Sequence, residues 1–265
     1  MKTRFGLPIV TVALSLVVGA CSSSGGTQAP QNLTVYAASS LMAAIKDLAA
    51  AYQAGHPGVT VTLSFDSSAA LRAQIEQGAP ADVFASADTA NPQALVDQGL
   101  GVGPPTAFAG NRLTIIVPAA GSGPVASPVD LAKPGVRVIA AGDAVPVTKY
   151  ANELLANLAG QPGYPSDFAN RVAANIASKE DNVKAVVSKV ELGEGDAAIV
   201  YVTDATASSK VHALDVPAAA NVPAVYAGVV VAASKNPVTA AAFLAWVASP
   251  DGRAILARYG FLPPA

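Results

Sequence analysis

The chain has 265 residues, 52% of them hydrophobic, with 16 Lys and Arg against 18 Asp and Glu. That is apolar material for one large domain or two modest ones. The slightly acidic balance and the lack of any run of Lys or Arg exclude a nucleic-acid binder. Two His and one Cys leave little from which to build a metal site or a Cys–His pair.

Residues 1–21, MKTRFGLPIVTVALSLVVGAC, begin with the basic Lys2 and Arg4, run on as an apolar stretch and end in small residues. This is the anatomy of an export signal, and with Pro8 and Gly19 inside it the stretch is too short for a membrane span. Val18-Gly19-Ala20-Cys21 resembles a bacterial lipobox. Residues 1–20 are then a signal peptide and Cys21 a lipidated first residue. Residues 22–31, SSSGGTQAPQ, read as a flexible tether, since Ser and Gly build no core. The expected protein is exported, lipid-anchored on the extracytoplasmic face of the cell membrane, and free of disulfides.

From residue 33 the pattern alternates. LTVYAA (33–38) predicts a strand, and Leu41, Ala44, Ile45, Leu48 and Tyr52 recur at helical spacing until Gly55 and Pro57 stop them. VTVTLSF (59–65) is a second strand, followed by a short helix around Leu71 and Ile75 that ends at Gly78. DVFASA (82–87) is a third, and Asn91-Pro92 opens a helix ending near Gly99. Residues 100–112 receive no element. Strands follow at LTIIVP (113–118) and VRVIAA (136–141), then three helices: near 150–158, near 168–176, and one with Val183, Val186, Val187 and Val190 on a single face. DAAIVYV (196–202), VHALDV (211–216) and VYAGVVVAA (225–233) read as strands. Two helices opening at Asn236-Pro237 and Ser249-Pro250 close the chain. Such alternation indicates an α/β protein with mostly parallel sheets. Loops rich in Gly, Pro and Ala place a domain seam near 113–118 with a return near 222–228.

Two junctions repeat one device. Ser39-Ser40 and Ser67-Ser68 each stand where a strand turns into a helix. A helix start leaves N–H groups unpaired and carries partial positive charge, and in α/β folds it faces the crevice beyond the strand's carboxyl end. A serine there either caps its own helix or adds a hydroxyl donor to an anion site. Two such junctions favour a shared oxyanion. A serine hydrolase lacks support, because there is no G-x-S-x-G and the only bases are His56 in a turn and His212 in a short strand.

The segments VYAASSL (35–41), SFDSSAALRAQIEQGAPADVFASAD (64–88), GNRLTIIVP (110–118), GDAVPVTKYANELL (142–155), DNVKAVVSKVELGEGDAAIVYVTDA (181–205) and GRAILARYGF (252–261) together resemble the periplasmic molybdate-binding proteins of ABC importers, over roughly residues 32–262. The resemblance implies a two-lobed, hinged α/β binding fold that closes over molybdate or tungstate in the interlobe cleft. It implies no catalysis and no cofactor. Its partners are the membrane subunits of an ABC permease, and it acts as a monomer. The family's two serine ligands correspond to Ser40 and Ser68, its two backbone donors to Val147 and Val183, and its tyrosine ligand to Tyr201. Val147 and Val183 both stand at predicted helix starts, where N–H groups lack partners. Lobe 1 would take 32–112 and 228–265, and lobe 2 would take 113–227.

Two positions depart from that family's pattern. Asp66 replaces a small apolar residue, and VPVT at 145–148 replaces VPAG. A carboxylate beside a dianion repels it but accepts the proton of a hydrogen phosphate. Asp66 is expected to turn away and bond locally, with receptors for sulfate or phosphate as the alternatives. An all-donor site satisfies a fully ionised oxyanion and penalises a protonated one. Cavity size must then separate molybdate from sulfate.

Overall fold

A computed structural model describes residues 1–3, 6, 31–121 and 123–264. Cys21 and the tether up to residue 30 lie outside them. Two five-stranded sheets organise the chain. The first holds β1 (Gln31–Ala38), β2 (Val59–Asp66), β3 (Val83–Ser86) and β4 (Gly101–Asn111) together with β10 (Ala224–Val231), in the order β2-β1-β3-β10-β4. The second holds β5 (Leu113–Pro118), β6 (Val138–Ala141), β7 (Ile176–Glu180), β8 (Ala197–Tyr201) and β9 (Val211–Leu214), in the order β7-β6-β8-β5-β9.

The two sheets share one topology. In each, the first strand of the lobe pairs in parallel with the second and third, and a strand arriving from the other side of a crossing runs antiparallel between third and fourth. β10 plays that part in the first sheet and β5 in the second. The sheets are therefore mixed, where strand–helix alternation predicts mostly parallel pairing. The chain enters each lobe through a strand that must run against its neighbours, and alternation along the sequence does not reveal it.

Burial follows sheet position. β3 and β8, inside their sheets, are buried at every residue, whereas β2, an edge strand, is only partly covered. Such strands read as continuous apolar runs or as alternation, respectively. β4 escapes sequence detection because it carries Gly101, Gly103, Pro104 and Pro105. It is tolerated at the sheet edge, where it pairs with β10 alone. β7 also escapes. The helix predicted to Ile176 ends at Ala174, and the strand beginning at Ile176 is a half-covered edge bearing Lys179 and Glu180.

The helices match their sequence signals more closely. α1 (Met42–Gly55) buries Ala44, Ile45, Leu48 and Tyr52. α2 (Ser68–Glu76) buries Leu71 and Ile75. α3 (Ala90–Asp97) starts one residue earlier than Asn91, after Thr89. α4 (Pro146–Ala159) has proline in its first turn, where a missing N–H costs nothing. α5 (Phe168–Ala174) precedes β7, and α6 (Val183–Glu191) buries its four valines. A short α7 (Val202–Thr206), unforeseen, follows β8 directly. α8 (Pro237–Val247) and α9 (Pro250–Arg258) pack back on the first lobe, with Ser249 Oγ accepting the Gly252 N–H.

The chain crosses between sheets at Asn111–Leu113 and again in the segment joining β9 to β10. The return is complete at Ala224, from which residue β10 is paired with β4. β1 begins at Gln31, one residue into the expected tether. The Asn221 side chain stitches the crossings together: its Oδ1 accepts the Leu113 N–H at 3.0 Å and its Nδ2 donates to the Leu113 carbonyl at 2.8 Å. The C-terminal segment closes against β4 through paired backbone bonds between Gly110 and Leu262. A side chain at Gly110 would place Cβ 2.5 Å from the Pro263 carbonyl oxygen.

Candidate oxyanion site

Each strand junction named in the sequence opens on the same point. Ser40 follows β1 and Ser68 follows β2 in the first lobe. Val147 follows β6, Val183 follows β7 and Tyr201 ends β8 in the second. These are the carboxyl ends of topologically equivalent strands, at the place where open α/β sheets bind ligands. All five groups line one small cavity, together with Ala38, Ser39, Ser67, Ala87, Val145 and Pro146. It encloses about 200 Å³ including its mouth, and no charged side chain lines it.

The paired serines divide their work. Ser67 caps α2, its Oγ accepting the Ala70 N–H at 3.3 Å. Ser68 accepts the Ala87 N–H at 3.0 Å instead and is 1% exposed. The first junction differs. Ser39 and Ser40 form a 3-10 turn with Leu41, neither caps α1, and Ser40 Oγ accepts the Tyr226 hydroxyl at 3.0 Å. A serine oxygen that already accepts a protein donor has its own hydrogen left to give. Ser40 and Ser68 therefore both present donors to the cavity.

The second lobe contributes backbone. Val147 and Val183 stand in the first turns of α4 and α6, where the helix supplies no acceptor. Among the described residues neither N–H donates to a carbonyl. Asn182 shapes the second start by accepting the Ala185 N–H at 3.1 Å. Tyr201 is 1% exposed, and its hydroxyl has no hydrogen-bond partner in the protein. Burial, reinforced by Tyr226, Tyr150, Asp204 and Asp88 nearby, pushes its phenol well above the usual value, so it keeps its proton. A buried phenol with nothing to bond costs free energy and points to a ligand that supplies the partner.

Larger crevices elsewhere do not compete. Measured in the same way, with their mouths, one of about 840 Å³ lies at the crossings beside Arg112 and Asn221, and one of about 770 Å³ lies under α4 among mainly apolar side chains. Neither is lined by Ser40, Ser68 or Tyr201. His56 and His212 are exposed and line no part of the serine cavity. The base that a serine hydrolase needs is missing from it.

The sequence profile of the bacterial extracellular solute-binding proteins matches residues 33–262. The chain belongs to that family. Its relatives include the molybdate-binding protein ModA of Mycobacterium tuberculosis, 36% identical with 98% of each chain covered. They also include the putative ABC transporter substrate-binding lipoprotein YvgL of Bacillus subtilis, 32% identical over 98% of this chain and 99% of that one. Among solved structures, the periplasmic molybdate-binding protein of Azotobacter vinelandii superposes with a TM-score of 0.74 at 24% identity, covering 88% of this chain and all of the other. That likeness establishes the fold. Solute-binding proteins of this kind are not enzymes, which agrees with a cavity of donors that holds no base.

Behind the cavity, this solute-binding protein carries two constellations that the sequence did not disclose. Asn111 Nδ2 donates to Thr203 Oγ1 at 2.9 Å and to the Tyr226 oxygen at 3.4 Å. Lys184 Nζ stands 3.0 Å from Oδ1 of the fully buried Asp204 and forms an ion pair with it. The pair joins the residue after Val183 to the helix after Tyr201 and so braces these two of the three second-lobe groups. Burial outweighs the lysine and raises the Asp204 carboxyl above its ordinary range. Asn111 and Asp204 stood inside the motifs GNRLTIIVP and IVYVTDA, but no local pattern set them apart from turn residues.

Proposed function

We propose that this protein captures molybdate outside the cytoplasm and delivers it to the membrane subunits of an ABC permease. The observation that carries the reading is the unpartnered Tyr201 hydroxyl, nearly inaccessible, in a cavity whose other groups are the hydroxyls of Ser40 and Ser68 and the N–H groups of Val147 and Val183. Five convergent donors and no cation suit a compact, fully ionised tetrahedral dianion, because preorganised dipoles satisfy its oxygens without rearranging. Relatives named as molybdate-binding proteins supply the identity of that dianion. Tungstate has the same shape and charge and is expected to bind alike.

The ligands come from both sheets, so binding and release proceed by opening and closing at the crossings Asn111–Leu113 and 214–224. Closure around the anion creates the surface that the permease reads. Lipidation at Cys21 would hold the protein at the membrane, in keeping with the lipoprotein relative. Among the described residues no helix is long and apolar enough to cross a membrane. The receptor works as a monomer, since one chain supplies every donor.

Calorimetric titration with molybdate, tungstate, sulfate and phosphate tests the assignment. Tight binding of the first two with weak sulfate binding is the expected result. A preference for sulfate or phosphate overturns molybdate as the ligand and leaves an anion receptor.

A further inference from the structure

The hydrogen bonds behind Ser40 run in one direction, and their origin fixes that direction. Arg112 N–H, which can only donate, gives to Asn111 Oδ1 at 2.9 Å. This sets the orientation of the Asn111 amide and turns its Nδ2 toward Thr203 and Tyr226, to which it donates. The Tyr226 oxygen therefore receives, and its hydrogen goes to Ser40 Oγ at 3.0 Å. Ser40 then has its hydrogen free, and it lines the cavity. Tyr226 and Asn111 are buried, at 0% and 2% exposure, so water does not substitute for any of these donors.

We propose that Tyr226 is a specificity-determining positioning residue, which fixes the Ser40 hydroxyl as a hydrogen donor and so sets the site against protonated oxyanions. The proposal rests on the reading of the cavity as an oxyanion site. Ser68 is fixed in the same sense by the Ala87 N–H, and the Val147 and Val183 amides can only donate. With Tyr226 in place, Ser40 and Ser68 each already accept one protein donor, and the Tyr201 hydroxyl, which has no protein partner, is the one of the five groups left to turn between giving and accepting. A hydrogen phosphate must turn the Tyr201 hydroxyl from giving to accepting, or leave its own hydrogen unbonded, whereas a fully ionised anion meets no such conflict. Without the Tyr226 hydroxyl, Ser40 is also free to turn its lone pairs to the cavity, and the site gains a second hydroxyl able to accept. Tyr226 reaches Ser40 from the start of β10, immediately after the second crossing, and Asn111 stands at the first. The same two segments that hinge the lobes thus also fix the ligand hydroxyl.

The test is Tyr226→Phe, which keeps the ring contacts with Tyr201, Phe108 and Phe261 and removes only the oxygen. Parent and variant are titrated with molybdate, sulfate and phosphate at mildly alkaline pH, where phosphate is mainly the monohydrogen dianion. Molybdate affinity is expected to fall about 10-fold with phosphate affinity held or raised, as the loss of one charge-directed hydrogen bond implies. The ratio of the two affinities comes from one preparation and does not depend on the fraction folded. A shift of that ratio by about fivefold or more supports the proposal, and a smaller one, with all anions weakened alike, overturns it. Asn111→Ala, which frees the Tyr226 hydroxyl to turn, is expected to move the ratio the same way by a smaller factor; movement the other way overturns the chain's direction. A parent protein that prefers sulfate to molybdate would refute the proposed ligand alone, since the sulfate-to-phosphate ratio then tests Tyr226 in the same manner. A parent that binds phosphate most tightly refutes the inference itself.

Discussion

Asp66, at the end of β2 in the first lobe, stands with Oδ1 3.5 Å from Nδ2 of Asn182, the residue that caps α6 in the second. The same oxygen accepts the Ser67 N–H at 2.7 Å. Asp66 thus bonds locally, as its turn position predicts, and lies outside the residues lining the cavity. It also bridges the lobes beside the Val183 donor, a contact that exists only while the lobes are together. Asp66→Ala is therefore expected to weaken molybdate by about 2- to 5-fold, the value of one long hydrogen bond, with the phosphate-to-molybdate ratio unchanged. Titration with both anions checks this. A gain or loss of phosphate selectivity would place the carboxylate at the ligand after all.

Tyr201 carries a prediction with two opposite signs. Its hydroxyl is buried and unpartnered, so Tyr201→Phe removes a desolvated polar atom and is expected to stabilise the unliganded protein by up to about 1 kcal/mol. The same change removes a hydrogen bond to an anion and should cost about 1.5–3 kcal/mol of binding, roughly 10- to 150-fold in affinity. Thermal unfolding without ligand and calorimetry with molybdate give the two halves. A variant less stable than the parent, with affinity intact, would make Tyr201 a packing residue.

The sequence was legible where the signal is local. The pairs Ser39-Ser40 and Ser67-Ser68 stand out because strand, serine pair and helix are contiguous, though family likeness alone chose Ser40 and Ser68 within them, and Leu41 to Tyr52 shows the helical spacing directly. Val147 and Val183 offer the cavity backbone N–H groups, so their side chains carry no mark; only likeness to a known family reached them. Tyr226 acts on Ser40 across 186 positions, and Asn111 on Tyr226 across 115, distances at which no spacing rule operates. β4 was hidden for a different reason. Its Gly and Pro residues read as loop, and only its place at the sheet edge makes them tolerable. The reversed β5 and β10 reflect the crossings, which are properties of the two-lobed architecture.

The two adjacent serines at the second junction should separate cleanly under mutation. Ser67→Ala removes the cap of α2 and is expected to cost about 1 kcal/mol of stability while leaving molybdate affinity within about twofold. Ser68→Ala removes a ligand donor and also strands the buried Ala87 N–H, so both readouts should fall: affinity by about 10-fold or more, stability by about 1–2 kcal/mol. Denaturant unfolding and titration of the two variants side by side decide the matter. Equal losses of affinity would mean that the serines share the anion and do not divide capping from binding.

Asp130 links stability to pH. It closes a capping box with Ser127 at a 3-10 turn, Pro128–Ala132, and accepts from the Ala126 and Ser127 N–H groups and from the Ser127 hydroxyl, with Lys133 Nζ at 2.7 Å. Lys133, foremost, and these hydrogen bonds lower its carboxyl to about 2, against the opposing effect of burial. A depressed folded-state value means that the unfolded chain binds the proton first. The stabilisation is therefore complete above the ordinary carboxylate range and is lost as pH falls from there toward about 2. Lys133 is half in solvent, so the shift is discounted to on the order of 1 kcal/mol. Asp130→Asn should lower the unfolding free energy by that amount at neutral pH and flatten its decline between about pH 4 and pH 2 relative to the parent. Urea unfolding across that range measures both, and parallel pH curves for parent and variant would remove Asp130 from the acid response.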